Sequence, residues 1–67
     1  MDIFVHLKIR EQRKKTGLSI RDLGKITGIG KDYISKIENG LSIPSIYIIC
    51  KIAKGLNLGL SELVEFK

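Results

Sequence analysis

Ser19-Ile20-Arg21-Asp22-Leu23-Gly24-Lys25-Ile26-Thr27-Gly28-Ile29-Gly30-Lys31-Asp32-Tyr33-Ile34-Ser35-Lys36-Ile37-Glu38-Asn39-Gly40 holds two short helix signals with a glycine-bearing turn between them. Ser19 reads as an N-cap, and Asp22, at the third helical position, can return a bond to it in the manner of a capping box. Leu23 and Ile26 mark the inward face of this helix, and Thr27-Gly28-Ile29 closes it. Gly30 is a weaker N-cap for the next helix, whose Ile34 and Ile37 share a side, and Asn39-Gly40 stops it. A turn this short forces a steep crossing, so the second helix can protrude while the first braces it. Its outer face then carries Lys31, Asp32, Tyr33, Ser35 and Lys36.

Working outward, the chain reads as helical on both sides. Val5 and Ile9 stand at helical spacing in a segment running from about residue 3 to 15, with Arg10, Arg13 and Lys14 outside, and Thr16-Gly17 ends it. Downstream, Leu41-Ser42-Ile43-Pro44 is a loop, because proline disfavours helix at the residue before it. Ser45 caps a fourth segment in which Ile46, Ile49, Cys50 and Ala53 recur at i, i+3, i+4 and i+7, and Cys50 reads as a small buried hydrophobe. Its isoleucines also suit a strand, but a lone strand has no edge to pair with. A last turn contributes Leu60 and Leu63 to the interior. The expectation is an all-α domain over residues 1–67, with helices at about 3–15, 20–26, 31–38, 46–55 and 60–64.

Length and composition narrow the function. A chain of 67 residues buries only about 60% of its unfolded surface, which leaves little room for a deep catalytic pocket. One cysteine excludes an internal disulfide, and Cys50 and His6 have no companions at metal-ligand spacing, so neither metal nor cofactor is expected. There is no nucleophile and base constellation and no phosphate-cradling glycine loop, so an enzyme is not expected. No apolar run approaches the roughly 20 residues that span a bilayer, and Met1 to Leu7 lacks the features of a secretion signal; a cytoplasmic protein with no membrane association is implied. The net charge of +5 is uneven: residues 1–36 hold nine basic and four acidic side chains, and residues 37–67 hold three of each. A basic half with a neutral remainder fits a polyanion, and equally fits a solvated surface.

The residues then support a more specific statement. Arg13 stands four before Gly17, in Gly17-Leu18-Ser19, followed by Leu23, Gly28-Ile29, Tyr33-Ile34-Ser35-Lys36-Ile37-Glu38-Asn39-Gly40, Pro44-Ser45, Ile52-Ala53, Leu56 and Leu60-Ser61-Glu62-Leu63. In this pattern, from about Val5 to Leu63, the chain resembles the helix-turn-helix family of the phage lambda repressor and Cro proteins, also called the XRE family. Glu-Asn-Gly alone says little; at the family's spacing from both Gly28 and Pro44 it is specific. The resemblance implies a five-helix DNA-binding domain that acts as a dimer on a palindromic operator and regulates transcription.

Carried over by position, Lys31, Asp32, Tyr33 and Lys36 match the base-reading face of the recognition helix. Lysine can donate to guanine, and Asp32 can accept from cytosine or simply favour the helix dipole. Ser19, Arg21, Ser35, Asn39, Ser42 and Ser45 match positions that contact phosphates, and Arg13 and Glu38 match a buried structural ion pair between the first and third helices. Gly24 replaces the alanine that usually lets the two helices approach, Ile20 replaces a glutamine and Gly30 a hydroxyl cap.

The fourth helix has more apolar residues than one inward stripe needs. A homodimer contact through the fourth and fifth helices and the C-terminal tail (Tyr47, Ile48, Ile52, Val64 and Phe66) is expected, against the alternative of a thick core. Double-stranded DNA is the expected partner of a sequence-specific regulator, a repressor or controller. The alternatives on the same fold are an antitoxin that also holds a toxin, or a protein-binding adaptor that reads no DNA.

Overall fold

Caps and glycines divide the chain where the local chemistry dictates. The computed structural model describes residues 5–66 and contains β1 (Val5–Leu7), α1 (Ile9–Lys15), α2 (Ile20–Thr27), α3 (Lys31–Glu38), α4 (Ile46–Gly55), α5 (Leu60–Leu63) and β2 (Val64–Phe66). At the head of α2, Ser19 Oγ accepts from the Asp22 amide at 3.0 Å, and Asp22 Oδ2 accepts from the Ser19 amide at 3.1 Å, which closes a capping box. Ser45 Oγ likewise accepts from the Ile48 amide at 3.2 Å and starts α4.

The α2 cap carries a testable cost. Ser19→Ala is expected to lower stability by about 1 kcal/mol in urea unfolding at neutral pH. The Ser19 amide bonded to Asp22 holds that carboxyl below the usual aspartate value. A carboxyl lowered on folding stabilises the protein above its unfolded pKa and loses that contribution as the pH falls through the folded one. The difference between wild type and Asp22→Asn therefore narrows on acidification, as the wild-type carboxyl itself becomes neutral.

The mostly helical, five-helix architecture carries one addition. Val5–Leu7 is not the start of a helix from residue 3: α1 begins at Ile9, and residues 3–4 of that expectation lie outside the described residues. Val5–Leu7 pairs antiparallel with Val64–Phe66, in the register Val5 to Phe66, His6 to Glu65 and Leu7 to Val64. The Lys8 amide extends the pairing by donating to the Leu63 carbonyl at 2.7 Å. Val64 is accordingly a strand residue and not the end of the fifth helix. The physical reason is the partner: each three-residue strand supplies the edge that the other needs.

The core consists of Ile9, Leu23, Ile29, Ile34, Ile37, Ile52, Ala53, Leu56 and Leu63. On α2 the inward pair is Leu23 and Thr27, one turn apart, and Ile26 is 55% exposed. Thr27 is tolerated inside because its hydroxyl donates to the Leu23 carbonyl at 2.7 Å and accepts from the Ile29 amide at 3.2 Å. The inward face of α4 is Ile52 and Ala53, with Ile48 and Ile49 packed beside them; Ile46 and Cys50 are exposed, so the buried role read for Cys50 is wrong. Helix α2 packs on the Gly55 side of α4, where an added Cβ would lie 2.7 Å from Thr27 Cγ2. Ile52, three residues earlier, shares that side and is fully buried, whereas Ile46 and Cys50 lie well round the helix from it. Leu60 is 40% exposed while Leu63 is fully buried.

Candidate nucleic-acid interface

The candidate site is the solvent-facing side of α3, and the α2 to α3 turn sets its angle. Gly28 takes φ +77°, the left-handed conformation that costs glycine least, and its amide donates to the Gly24 carbonyl at 2.8 Å. Gly24 faces the turn: a Cβ there would stand 2.9 Å from the Ile29 carbonyl oxygen and 3.8 Å from Ile34 Cδ1. The absence of a side chain lets α3 lie directly against α2. Ile34 and Ile37 fasten the inner side of α3, at 0% and 5% exposure.

That anchoring turns Lys31, Asp32 and Lys36 outward to solvent, with Ser35 half-buried. Tyr33 is also half-buried and packs against the core cluster, so less of its ring is free than of its three neighbours. Of the residues matched to phosphate contacts, Ser19, Arg21, Asn39 and Ser45 are exposed and Ser42 is half-buried. Ser19 and Ser45 use the hydroxyl oxygen as a cap acceptor, which leaves the hydroxyl hydrogen to donate.

Behind the C-terminal end of α3 lies a charge network. The Glu38 side chain is fully buried. Arg13 Nε donates to Glu38 Oε2 at 2.8 Å and its Nη2 to Oε1 at 3.1 Å, a fork-to-fork pairing, while Nη1 donates to the Leu18 carbonyl at 2.9 Å. The bond to Glu38 raises the Arg13 pKa above its usual value, so the guanidinium stays charged although the residue is only 9% exposed. Arg13 thus lies inside, one turn beyond Ile9, and not on the outer side of α1. Among the described residues no buried side-chain nitrogen or oxygen lacks a hydrogen-bond partner.

Arg10 also joins this network, which its place among the outward residues of α1 did not suggest. Its Nε donates to Glu38 Oε1 at 3.2 Å and its Nη2 to Asn39 Oδ1 at 2.8 Å. The available signal was its position three residues before Arg13, on the same side of α1.

The surface expected to carry a homodimer is partly inside the molecule. Ile52 is fully buried, and Ile48 and Val64 pack against the core; Tyr47 and Phe66 stay exposed, at 67% and 74%. Exposed Cys50 and Leu60 help line a groove with Ala53, Lys54, Asn57 and Leu58. Among the described residues no three or more His, Cys, Asp or Glu side chains are grouped to hold a metal ion, and no helix is long and apolar enough to cross a membrane.

Comparison with known proteins supports the helix-turn-helix fold. The family HTH_3, described as helix-turn-helix, matches residues 9–63. The HTH-type transcriptional regulator SlrR of Bacillus subtilis is 40% identical over 58 residues, which are 85% of this chain and 38% of SlrR. Among solved structures, the restriction-modification controller protein C.AhdI of Aeromonas hydrophila superposes with a TM-score of 0.80 at 31% identity, covering 82% of this chain and 83% of C.AhdI. A complex of SinR protein with SinI protein gives a TM-score of 0.77 at 32% identity, over 82% of this chain and 54% of the matched one. The chain therefore spans well under half the length of SlrR.

Proposed function

The chain belongs to the helix-turn-helix family, and on that premise we propose that it is a sequence-specific DNA-binding regulator of transcription, a repressor or controller working in the cytoplasm. Helix α3 enters the major groove of a palindromic operator, with one subunit of a homodimer on each half-site. Lys31, Asp32, Lys36 and the free edge of Tyr33 meet the base edges. Ser19, Arg21, Ser35, Asn39, Ser42 and Ser45 bond phosphates and set the register.

The observation that carries this reading is the division of α3, with Ile34 and Ile37 held in the core while Lys31, Asp32 and Lys36 stand free. The names of SlrR and C.AhdI, a transcriptional regulator and a controller protein, support it. The dimer contact uses what the fold leaves exposed on α4, α5 and β2, above all Tyr47 and Phe66, in place of the buried Ile52.

Sites selected from a random DNA pool test the proposal. Binding that prefers one palindrome over random duplex, and weakens steeply with salt, supports it; equal binding to all duplexes rejects it. Lys36→Ala is expected to weaken binding to the selected site by about 1–3 kcal/mol and binding to random duplex much less. An equal loss on both assigns Lys36 to phosphate.

A second reading has one observation in its favour. Leu41, Ile43, Ile46 and Tyr47 are apolar and highly exposed around the start of α4, and the SinR/SinI complex shows a similar chain in a protein complex. An antitoxin or adaptor would use such a surface to hold a protein, and the adaptor form predicts no operator preference at all.

A further inference from the structure

We propose that Arg10 is a positioning residue for DNA binding, which fixes the side-chain amide of Asn39 as a hydrogen-bond donor at the C-terminal end of α3. The inference rests on the DNA-binding reading above and names a residue that reading does not use.

The charge count behind α3 is unbalanced. One buried carboxylate, Glu38, accepts from two guanidiniums, those of Arg13 and Arg10. Arg13 alone already satisfies both carboxylate oxygens, so the triad keeps one positive charge in excess. Arg13 is enclosed and Arg10 is about half exposed, with 47% of its side chain accessible, so that excess lies at the surface beside Asn39.

Arg10 turns this position into orientation. A side-chain amide can present either its oxygen or its nitrogen to a neighbour, and only the nitrogen suits a phosphate. Arg10 Nη2 occupies Asn39 Oδ1 at 2.8 Å, which places Nδ2 on the other side, 3.4 Å from Ser35 Oγ. Nδ2 carries two hydrogens, so one remains for an outside acceptor. The reverse rotamer would bring NH2 against a guanidinium, donor against donor. Because Arg10 Nε is itself held on Glu38 Oε1, the clamp is tied to the buried network and not to a freely rotating side chain. Arginine is required, since lysine has the charge but no fork to bridge Glu38 and Asn39.

Four proteins test this: wild type, Arg10→Lys, Asn39→Ala and the double variant, measured on an operator selected with the wild type. Arg10→Lys is expected to lose about tenfold in affinity, the size of one charge-assisted hydrogen bond, with the salt slope unchanged because the charge is kept. In the Asn39→Ala background the same substitution should cost nothing further. Wild-type affinity in Arg10→Lys, or an undiminished loss in the double variant, overturns the proposal. In the DNA-free protein, the Asn39 side-chain amide resonances should shift in Arg10→Lys while the urea midpoint stays close to wild type; unmoved resonances also overturn it. If the wild type prefers no duplex, the DNA-binding reading fails by itself, and the resonances still report on the Arg10 to Asn39 contact.

Discussion

Glu38→Ala is expected to cost about 3–5 kcal/mol of folding stability, because it leaves the Arg13 guanidinium buried with no carboxylate to neutralise it. Both partners are enclosed: the Glu38 side chain is fully buried and that of Arg13 is 10% exposed. Solvent therefore screens the pair little. Arg13 keeps one bond, to the Leu18 carbonyl, which does not offset the lost charge. For a domain whose total stability is of the order of 5–15 kcal/mol, such a loss leaves a substantial unfolded population. A pKa raised on folding stabilises the protein at every pH below the unfolded value, so the pair contributes fully across the neutral range. Urea unfolding at constant m-value is the measurement. The double change Arg13→Met with Glu38→Leu should recover most of the loss, since an apolar pair removes the buried charge altogether. A Glu38→Ala loss below about 1 kcal/mol would show that water reaches Arg13.

The second large effect is expected at Gly24. Gly24→Val should destabilise the domain by about 3 kcal/mol, the upper part of the range for overpacking. The Cβ alone would come to 2.9 Å from the Ile29 carbonyl oxygen, which is backbone and cannot rotate away, and the branched methyl groups add to the clash near Ile34. Replacing a helical glycine with valine returns only about 0.3–0.5 kcal/mol of propensity, too little to reverse the sign. DNA affinity should fall further than stability accounts for, because the clash pushes α3 off α2 and tilts Lys31 and Lys36. Urea unfolding and operator titration, performed on the same preparation at a temperature where the variant is folded, separate the two losses.

The two helices of the candidate site were legible because single residue types mark their ends: Ser19 with Asp22, Gly28 and Asn39-Gly40. Placing Lys31, Asp32 and Lys36 outside followed from Ile34 and Ile37 holding the other side. The β1 to β2 pair was not legible, since three-residue strands carry almost no periodicity and their partners lie at opposite ends of the chain. The inward face of α4 escaped for a different reason. Ile46, Tyr47, Ile48, Ile49, Ile52 and Ala53 are all apolar, so the pattern points nowhere until α2 closes on Gly55. For Arg10 the spacing from Arg13 gives only a shared side of α1; that both arginines reach one carboxylate depends on the distance between α1 and α3, which the chain alone does not fix.

Methylation interference on the selected operator tests the insertion of α3 most directly, because guanine N7 lies in the major groove and adenine N3 in the minor groove. Helix α3 in the major groove predicts interference at guanine N7 in two symmetric clusters about 34 Å apart, on one face of the duplex. Interference confined to adenine N3 would contradict it, by placing the protein in the minor groove with α3 outside the bases.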